Sequence, residues 1–424
     1  MDRPSRQPPS EAPNPESRRP VIAICGSGNA GHALAVVLSQ NFAGVVDWLV
    51  GSEEKAELLR RAASTGGLQS TGVIKARADK LRTISADPAQ VIPDADIVMI
   101  VVPAFAHAAV LSRIKPHVSK TTAIGCLPTR GGFEFEASRL IPEASAGRHP
   151  RIFGLQTLPW STRVVTPGEV VHFGAVKKEV VLAAMPGSAG PELAEHHTKI
   201  LGVRVAATEG FLSLTLGNPG QFIHPGLMYG HFRSWQGEEY NDDNIPMFYA
   251  EASDEMGRIV EQLSSDASAV ARAIEMQSRG ALDLSGVVPV HEWLRVSYSH
   301  VTADETTVAT CFRTGPIQAR KAPMVEVAPG RLKPNFAYRY LTEDVPFGLV
   351  ITRALAEIAD VETPTIDEVI LWAQSKMQKV YLDDGKLNGR DVRDLPIPQN
   401  YGVSTVSRLI QWYDDGVTRN PRDG

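Results

Sequence analysis

Five apolar residues, Val21-Ile-Ala-Ile-Cys25, run directly into Gly26-Ser-Gly-Asn-Ala-Gly31. An unbroken apolar run of this length is the pattern of a strand buried on both faces. Between His32 and Gln40, Ala33, Leu34, Val36, Val37 and Leu38 supply the apolar surface of a buried helix. GxGxxG between a strand and a helix is the loop that receives a dinucleotide pyrophosphate. Gly26 permits the tight turn, Gly28 lets the backbone approach the phosphates, and Gly31 lets the helix lie against the strand. Asn29 stands at the start of that helix, where free N–H groups favour an anion. The bland alternative is a glycine turn with no ligand; the flanking strand and helix weigh against it.

The second strand, residues 45–50, ends at Gly51-Ser52-Glu53-Glu54-Lys55. In an NAD site an acid at this place bonds the ribose hydroxyls. Glu53 or Glu54 suits that role, and Ser52 with Lys55 suits a 2′-phosphate instead. Ser52 also fits as a plain cap of the following helix. NADH is the expected cofactor, with NADPH left open. Further buried strands are expected at residues 95–102, 122–127, 152–155 and 180–184. Their alternation with helices predicts a parallel sheet. Ligands lie at the carboxyl ends of such strands. That places Pro103 and the loops at residues 127–133 and 156–163 near the nicotinamide.

A chain of 424 residues suits two domains. The expected architecture is α/β followed by all-α: a Rossmann domain over residues 21–206 and a mainly helical domain over residues 207–424. Residues 1–20 hold six prolines and mixed charges, and are expected to be a disordered tail. Beyond residue 206 the periodicity turns helical. Met256, Ile259, Val260, Leu263, Ala267, Val270 and Ile274 share one face of a helix expected over residues 251–277. Helices are also expected at 344–358 and 366–380, and an ordered loop at 313–334. A net charge of −5 offers no electrostatic footprint for nucleic acid or an anionic membrane. The longest apolar run, residues 97–103, is strand-sized. Cys25, Cys126 and Cys311 are scattered without metal-ligand spacing, so no metal is expected. Cys25 and Cys126, in apolar surroundings, read as small buried thiols in a reducing compartment, and with no targeting pattern in sight the cytoplasm is expected. Nothing in the pattern specifies an oligomer.

Hydride transfer to a C=O or C=N carbon needs a proton donor nearby, and histidine titrates in the right range. His224 lies in Asn218-Pro-Gly-Gln-Phe-Ile-His-Pro-Gly-Leu-Met-Tyr-Gly230. Pro225 is expected to hold it extended, in a rigid loop that aims the side chain. A histidine simply packed at the domain junction is the alternative. Asp344, with Pro346 two residues on, is a candidate carboxylate to orient it; a plain N-cap is the alternative there.

Taken together, several segments resemble the opine dehydrogenases of the octopine and tauropine type. They are Cys25-Gly-Ser-Gly-Asn-Ala-Gly-His32, Leu158-Pro-Trp-Ser-Thr-Arg163, Ile223-His-Pro-Gly-Leu-Met-Tyr-Gly230, Phe248-Tyr249 and Glu343-Asp-Val-Pro-Phe-Gly-Leu-Val350. The resemblance spans residues 21–377. It implies reductive joining of a 2-oxo acid, typically pyruvate, to an amino group, giving a secondary amine dicarboxylate. It also implies His224 as the acid–base residue, Asp344 as its partner, and Arg339 as a contact of the cofactor pyrophosphate. Arg130 stands where the relatives tend to carry glutamine, and Thr162 where they carry cysteine. Arg130 is thereby a candidate ligand for a substrate carboxylate, with a solvent-facing loop arginine as the alternative. Thr157, Thr162 and Arg163 are further candidate substrate contacts. Two other functions compete: a 2-hydroxy-acid or hydroxy-phosphate dehydrogenase of the same two-domain type, and a non-catalytic NAD(P) sensor.

Overall fold

The computed structural model describes residues 18–141 and 151–418. Among the described residues, eleven strands occupy the first half: β1 (Val21–Cys25), β2 (Val45–Leu49), β3 (Gln69–Gly72), β4 (Leu81–Ser85), β5 (Ile97–Ile100), β6 (Ala123–Cys126), β7 (Ile152–Leu155), β8 (Trp160–Thr166), β9 (Val170–Val176), β10 (Glu179–Met185) and β11 (Arg204–Ala207). Eight of them form one sheet in the order β11-β10-β7-β6-β5-β1-β2-β4. Every residue of β1 is buried, because helices cover both faces. β1 lies between β2 and β5, parallel to both. The chain therefore leaves β1 toward one side of the sheet and returns to build the other side. That reversal opens a crevice beyond the carboxyl ends of β1 and β5.

The strand–helix alternation predicts a parallel sheet, and this one is parallel only in part. β7 and β10 pair antiparallel, so β10 and β11 run against the rest. After Leu155 the chain takes no crossover helix. It forms the β8–β9 ladder, which joins β3 in a separate three-stranded sheet. Lacking a crossover, it re-enters beside β7 from the end at which it left, and only an antiparallel neighbour can form that way. Of the expected tail, residues 1–17 lie outside the described residues. Arg18, by contrast, is docked: its Nη1 donates to the Asp94 carbonyl at 2.8 Å.

Helices dominate from Leu212 onward. The longest, Asp254–Gln277, begins at Ser253, whose hydroxyl accepts from the Met256 N–H at 3.2 Å. Its Ile259, Val260, Leu263, Ala267, Val270 and Ile274 are buried, as their spacing requires. Residues 313–334 are not simply a loop. They include an antiparallel hairpin, β12 (Met324–Ala328) and β13 (Arg331–Pro334). Val325 and Val327 of β12 are exposed, so the apolar alternation of this hairpin does not mark a buried face. The final helix, Val406–Thr418, returns to the first half of the chain. Its Trp412 ring lies 4.4 Å from that of Phe135. No helix among the described residues is long and apolar enough to cross a membrane. All three cysteines are buried and unpaired.

Candidate active site

The glycine loop leaves β1 beside the end of β5. Gly26 has φ +126°, and a Cβ there would meet the Val101 carbonyl oxygen at 2.9 Å. A Cβ on Gly31 would stand 2.0 Å from the Gly26 carbonyl oxygen, so only glycine lets the first helix touch the loop. Gly28 differs: nothing lies within 4 Å of a Cβ built on it. It borders the open space in which a pyrophosphate would lie. The helix it precedes, Asn29–Asn41, has no side-chain cap, which leaves first-turn N–H groups for an anion. These features fit a dinucleotide. The loop is pinned from behind by Trp48, whose indole N–H donates to the Gly26 carbonyl at 2.8 Å. His32 Nε2 accepts from the Gly168 N–H at 3.0 Å, so its proton sits on Nδ1, facing the Gly28 carbonyl. Asn29 Oδ1 accepts from the Val164 N–H at 2.8 Å and ties β8 to the loop. Ser52 caps the Glu53–Thr65 helix at the end of β2, and Glu53 pairs with Arg60.

His224 is not in an extended loop. It lies inside the helix Gly220–Phe232, and Pro225 follows it within that helix. A proline there forfeits a backbone hydrogen bond and costs about 3 kcal/mol. Burial outweighs that cost, because Phe222, Ile223, Leu227 and Met228 are all buried. Gly226 and Gly230 let the helix close on Asp254–Gln277: added Cβ atoms would meet Val260 Cγ2 at 2.9 Å and Met256 Cγ at 2.4 Å. Packing has overridden the local preference of the residue before proline.

From this helix His224 Nδ1 donates to Asp344 Oδ2 across 2.8 Å. A carboxylate only accepts, so Nδ1 carries the proton and Nε2 is left to give or take one. The Tyr340 ring stacks on the imidazole at 3.9 Å and 12°. Burial holds the His224 pKa below its ordinary value; Asp344 opposes this, while Arg130 and Arg339 add to it. Asp344 does not cap the π-helical turn it precedes, Val345–Leu349. Its carboxylate is turned away to His224 on one side and to Arg130 Nη1, 2.8 Å from Oδ1, on the other. Burial works against its charge, yet Arg130 and then His224 hold its pKa below the ordinary range.

Arg130 is not a solvent-facing loop arginine. It is 6% exposed, and its Nη1 also donates to Asn218 Oδ1 at 2.7 Å. Its Nε lies 3.5 Å from Glu343 Oε1. Glu343 in turn accepts from the Ala104 N–H at 3.1 Å and meets Arg339 Nη2 at 2.8 Å. With the bond from Gly131 N–H to the Phe347 carbonyl, 2.9 Å, these contacts fasten the 339–349 segment to the ends of β5 and β6. Arg339 is half exposed, at the solvent end of that segment's ion pairs. Thr157 and Thr162 are half-buried and Arg163 is exposed, Thr157 just past β7 and the other two in β8. Asn218, Glu343 and Tyr340 did not stand out in the sequence. Their partners are distant in the chain, and Asn218-Pro219 is the only local signal among them.

A family model described as NAD/NADP octopine/nopaline dehydrogenase, alpha-helical domain, matches residues 207–377. Another, NAD-dependent glycerol-3-phosphate dehydrogenase N-terminus, matches residues 21–145. The chain is 30% identical to an opine dehydrogenase of Haliotis discus hannai, over 93% of this chain and 99% of that one. It is 31% identical to a tauropine dehydrogenase of Arabella iricolor, over 92% of this chain and 100% of the relative. Its fold matches that of octopine dehydrogenase solved with NADH and L-arginine, with a TM-score of 0.82 and 26% identity over 96% of this chain and 100% of the other. The same enzyme has also been solved with NADH and pyruvate.

Proposed function

Because the chain belongs to the opine dehydrogenases, we propose that it joins a pyruvate-like 2-oxo acid to the amino group of an amino acid or amine, with NAD(P)H as reductant. It is an oxidoreductase acting on a CH–NH bond, and its product is a secondary amine dicarboxylate. The observation that carries this reading is the His224–Asp344 pair at the mouth of the dinucleotide crevice. Residues 21–206 make the dinucleotide-binding part and residues 207–424 the part that brings the acid–base pair. The buried, unpaired state of all three cysteines supports a reducing compartment, the cytoplasm.

The residues divide the work as follows. Gly26, Gly28, Asn29 and Gly31 shape the pyrophosphate site, with Ser52 at the ribose end and Arg339 on the facing side. A reduced nicotinamide held there supplies the hydride that the imine carbon receives. Oxo acid and amine condense to that imine with loss of water. His224 Nε2–H donates its proton at the departing oxygen or at the nitrogen. Asp344 keeps the tautomer and stabilises the imidazolium. Tyr340 fixes the plane of the ring. Thr157, Thr162 and Arg163, in and before β8, are the candidate substrate contacts. A 2-hydroxy-acid dehydrogenase would reduce the oxo acid itself, with no amine in the product. The test is product identity. Incubation with NADH, pyruvate and a panel of amino acids is expected to yield the N-linked secondary amine by mass spectrometry. Lactate as the sole product would overturn the reading.

A further inference from the structure

We propose that Arg130 is a positioning residue: it grips Asp344 from the side opposite His224 and sets the pH range in which His224 works. The inference rests on reading His224 as the acid–base group. It departs from the expectation that Arg130 meets a substrate carboxylate, because its guanidinium is buried and its Nη1 is held between Asp344 and Asn218.

The geometry is that of a built site. The backbone around Arg130 is held on both sides, Thr129 N–H donating to the Leu155 carbonyl at 2.7 Å and Gly131 N–H to the Phe347 carbonyl at 2.9 Å. Its Nη1 is shared between Asp344 Oδ1, at 2.8 Å, and Asn218 Oδ1, at 2.7 Å. Asn218 cannot drift, since its Nδ2 donates to the carbonyls of Thr129 and Gln156, each at 2.9 Å. The pair fits only because residue 220 is glycine: a Cβ there would sit 2.5 Å from Arg130 Nη1 and 3.1 Å from Asp344 Oδ1.

The charges around His224 come in compensated pairs. Asp344 on Nδ1 is matched by Arg130, and Glu343 is matched by Arg339 on the same segment. Against its ring lies Tyr340, whose hydroxyl accepts from Arg320 Nη1 at 3.0 Å. Behind Arg130, on the first half of the chain, stand His107 and Cys126. Both are buried and neutral: burial pushes His107 down to about 4 and the Cys126 thiol well up. With Arg130 neutralised, the Asp344 carboxylate would face His224 uncompensated. A nearby opposite charge favours the protonated imidazole, so the His224 pKa would rise. With the anchor gone, Asp344 would also be free to turn.

The test is an NMR titration of isotope-labelled histidines in the full chain without substrate, the His224 signal assigned by its loss in His224→Asn. The pH profile of kcat/KM is measured alongside. Arg130→Gln is expected to raise the His224 pKa by about one unit or more and to move the kinetic profile the same way. Arg130→Lys, which keeps the charge, is expected to restore a value close to that of the unaltered protein. Glu343→Gln removes a negative charge and is expected to move the pKa down. An unmoved His224 titration in Arg130→Gln overturns the proposal. So does a higher KM for the oxo acid with an unchanged pH profile, which would make Arg130 a substrate ligand. Should Arg130→Gln fail to fold, Glu343→Gln decides: a downward shift supports the coupling and an unmoved value overturns it. The titration needs no turnover, so failure to find an opine product would sink the functional reading alone.

Discussion

Nδ1 of His224 is held by Asp344, no described residue hydrogen-bonds Nε2, and the proposed proton transfer falls to Nε2. His224→Ala is therefore expected to lower kcat by about 10²- to 10⁴-fold. NADH binding, read as a thermal shift, should survive, because His224 lies outside the glycine loop. A loss of cofactor binding equal to the loss of rate would point to a structural role instead. The pH dependence has a definite sign. Imine reduction begins with protonated His224, so its rate should fall as pH rises through a pKa that burial holds below about 6.5. Oxidation of the product begins with neutral His224 and should fall as pH drops through the same value. A profile of the same sign in both directions would contradict the assignment. His224 was legible as a residue type in a constrained run, but its conformation was not. The preference that Pro225 imposes is local, and the burial that defeats it comes from partners on the Asp254–Gln277 helix. Arg130 was legible only as a departure from the relatives' glutamine, since Asn218, Glu343 and Asp344 meet it only in the folded chain.

Among the elements, the strand, glycine loop and helix were legible in full, because phosphate binding dictates both the residues and their spacing. The three glycines nonetheless do separable work, and substitution should separate it. Gly31→Ala places a Cβ 2.0 Å from a carbonyl oxygen and is expected to lower the melting temperature as well as cofactor affinity. Gly28→Ala has no protein atom within 4 Å of its Cβ, so it should melt like the unaltered protein and bind NADH more weakly. Unchanged NADH affinity in Gly28→Ala would show that the open space beside Gly28 is not the phosphate site. Elements without periodic burial were harder to read. β12 and β13 bury little, and the β8–β9 ladder hid inside what looked like one more strand–helix step. The reversed direction of β10 follows from that missed ladder.

At the scale of the whole molecule, the two halves are fastened by more than the acid–base cluster. Glu134, in the helix Phe133–Leu140, accepts from the hydroxyls of Thr215, at 3.1 Å, and Tyr413 of the last helix, at 3.3 Å. Burial raises its pKa from 4.5 to about 7. The folded protein thus keeps a proton that the unfolded chain loses, and stability from this group declines as pH rises from 4.5 through about 7. Glu134→Gln should raise the melting temperature at about pH 8, by at most about 3 kcal/mol of stability, and change it little at about pH 5. A gain that is the same at both pH values would place the Glu134 pKa near its ordinary value. Two halves so joined make one crevice, and in the proposed function the first half holds the dinucleotide while the second brings the proton donor. The same crevice could reduce a carbonyl or an imine, and the requirement for an amine separates the two. The most direct measurement is the initial rate of NADH oxidation with pyruvate alone, with amino acid alone and with both. Turnover is expected only when both are present. Full turnover with pyruvate alone would contradict it.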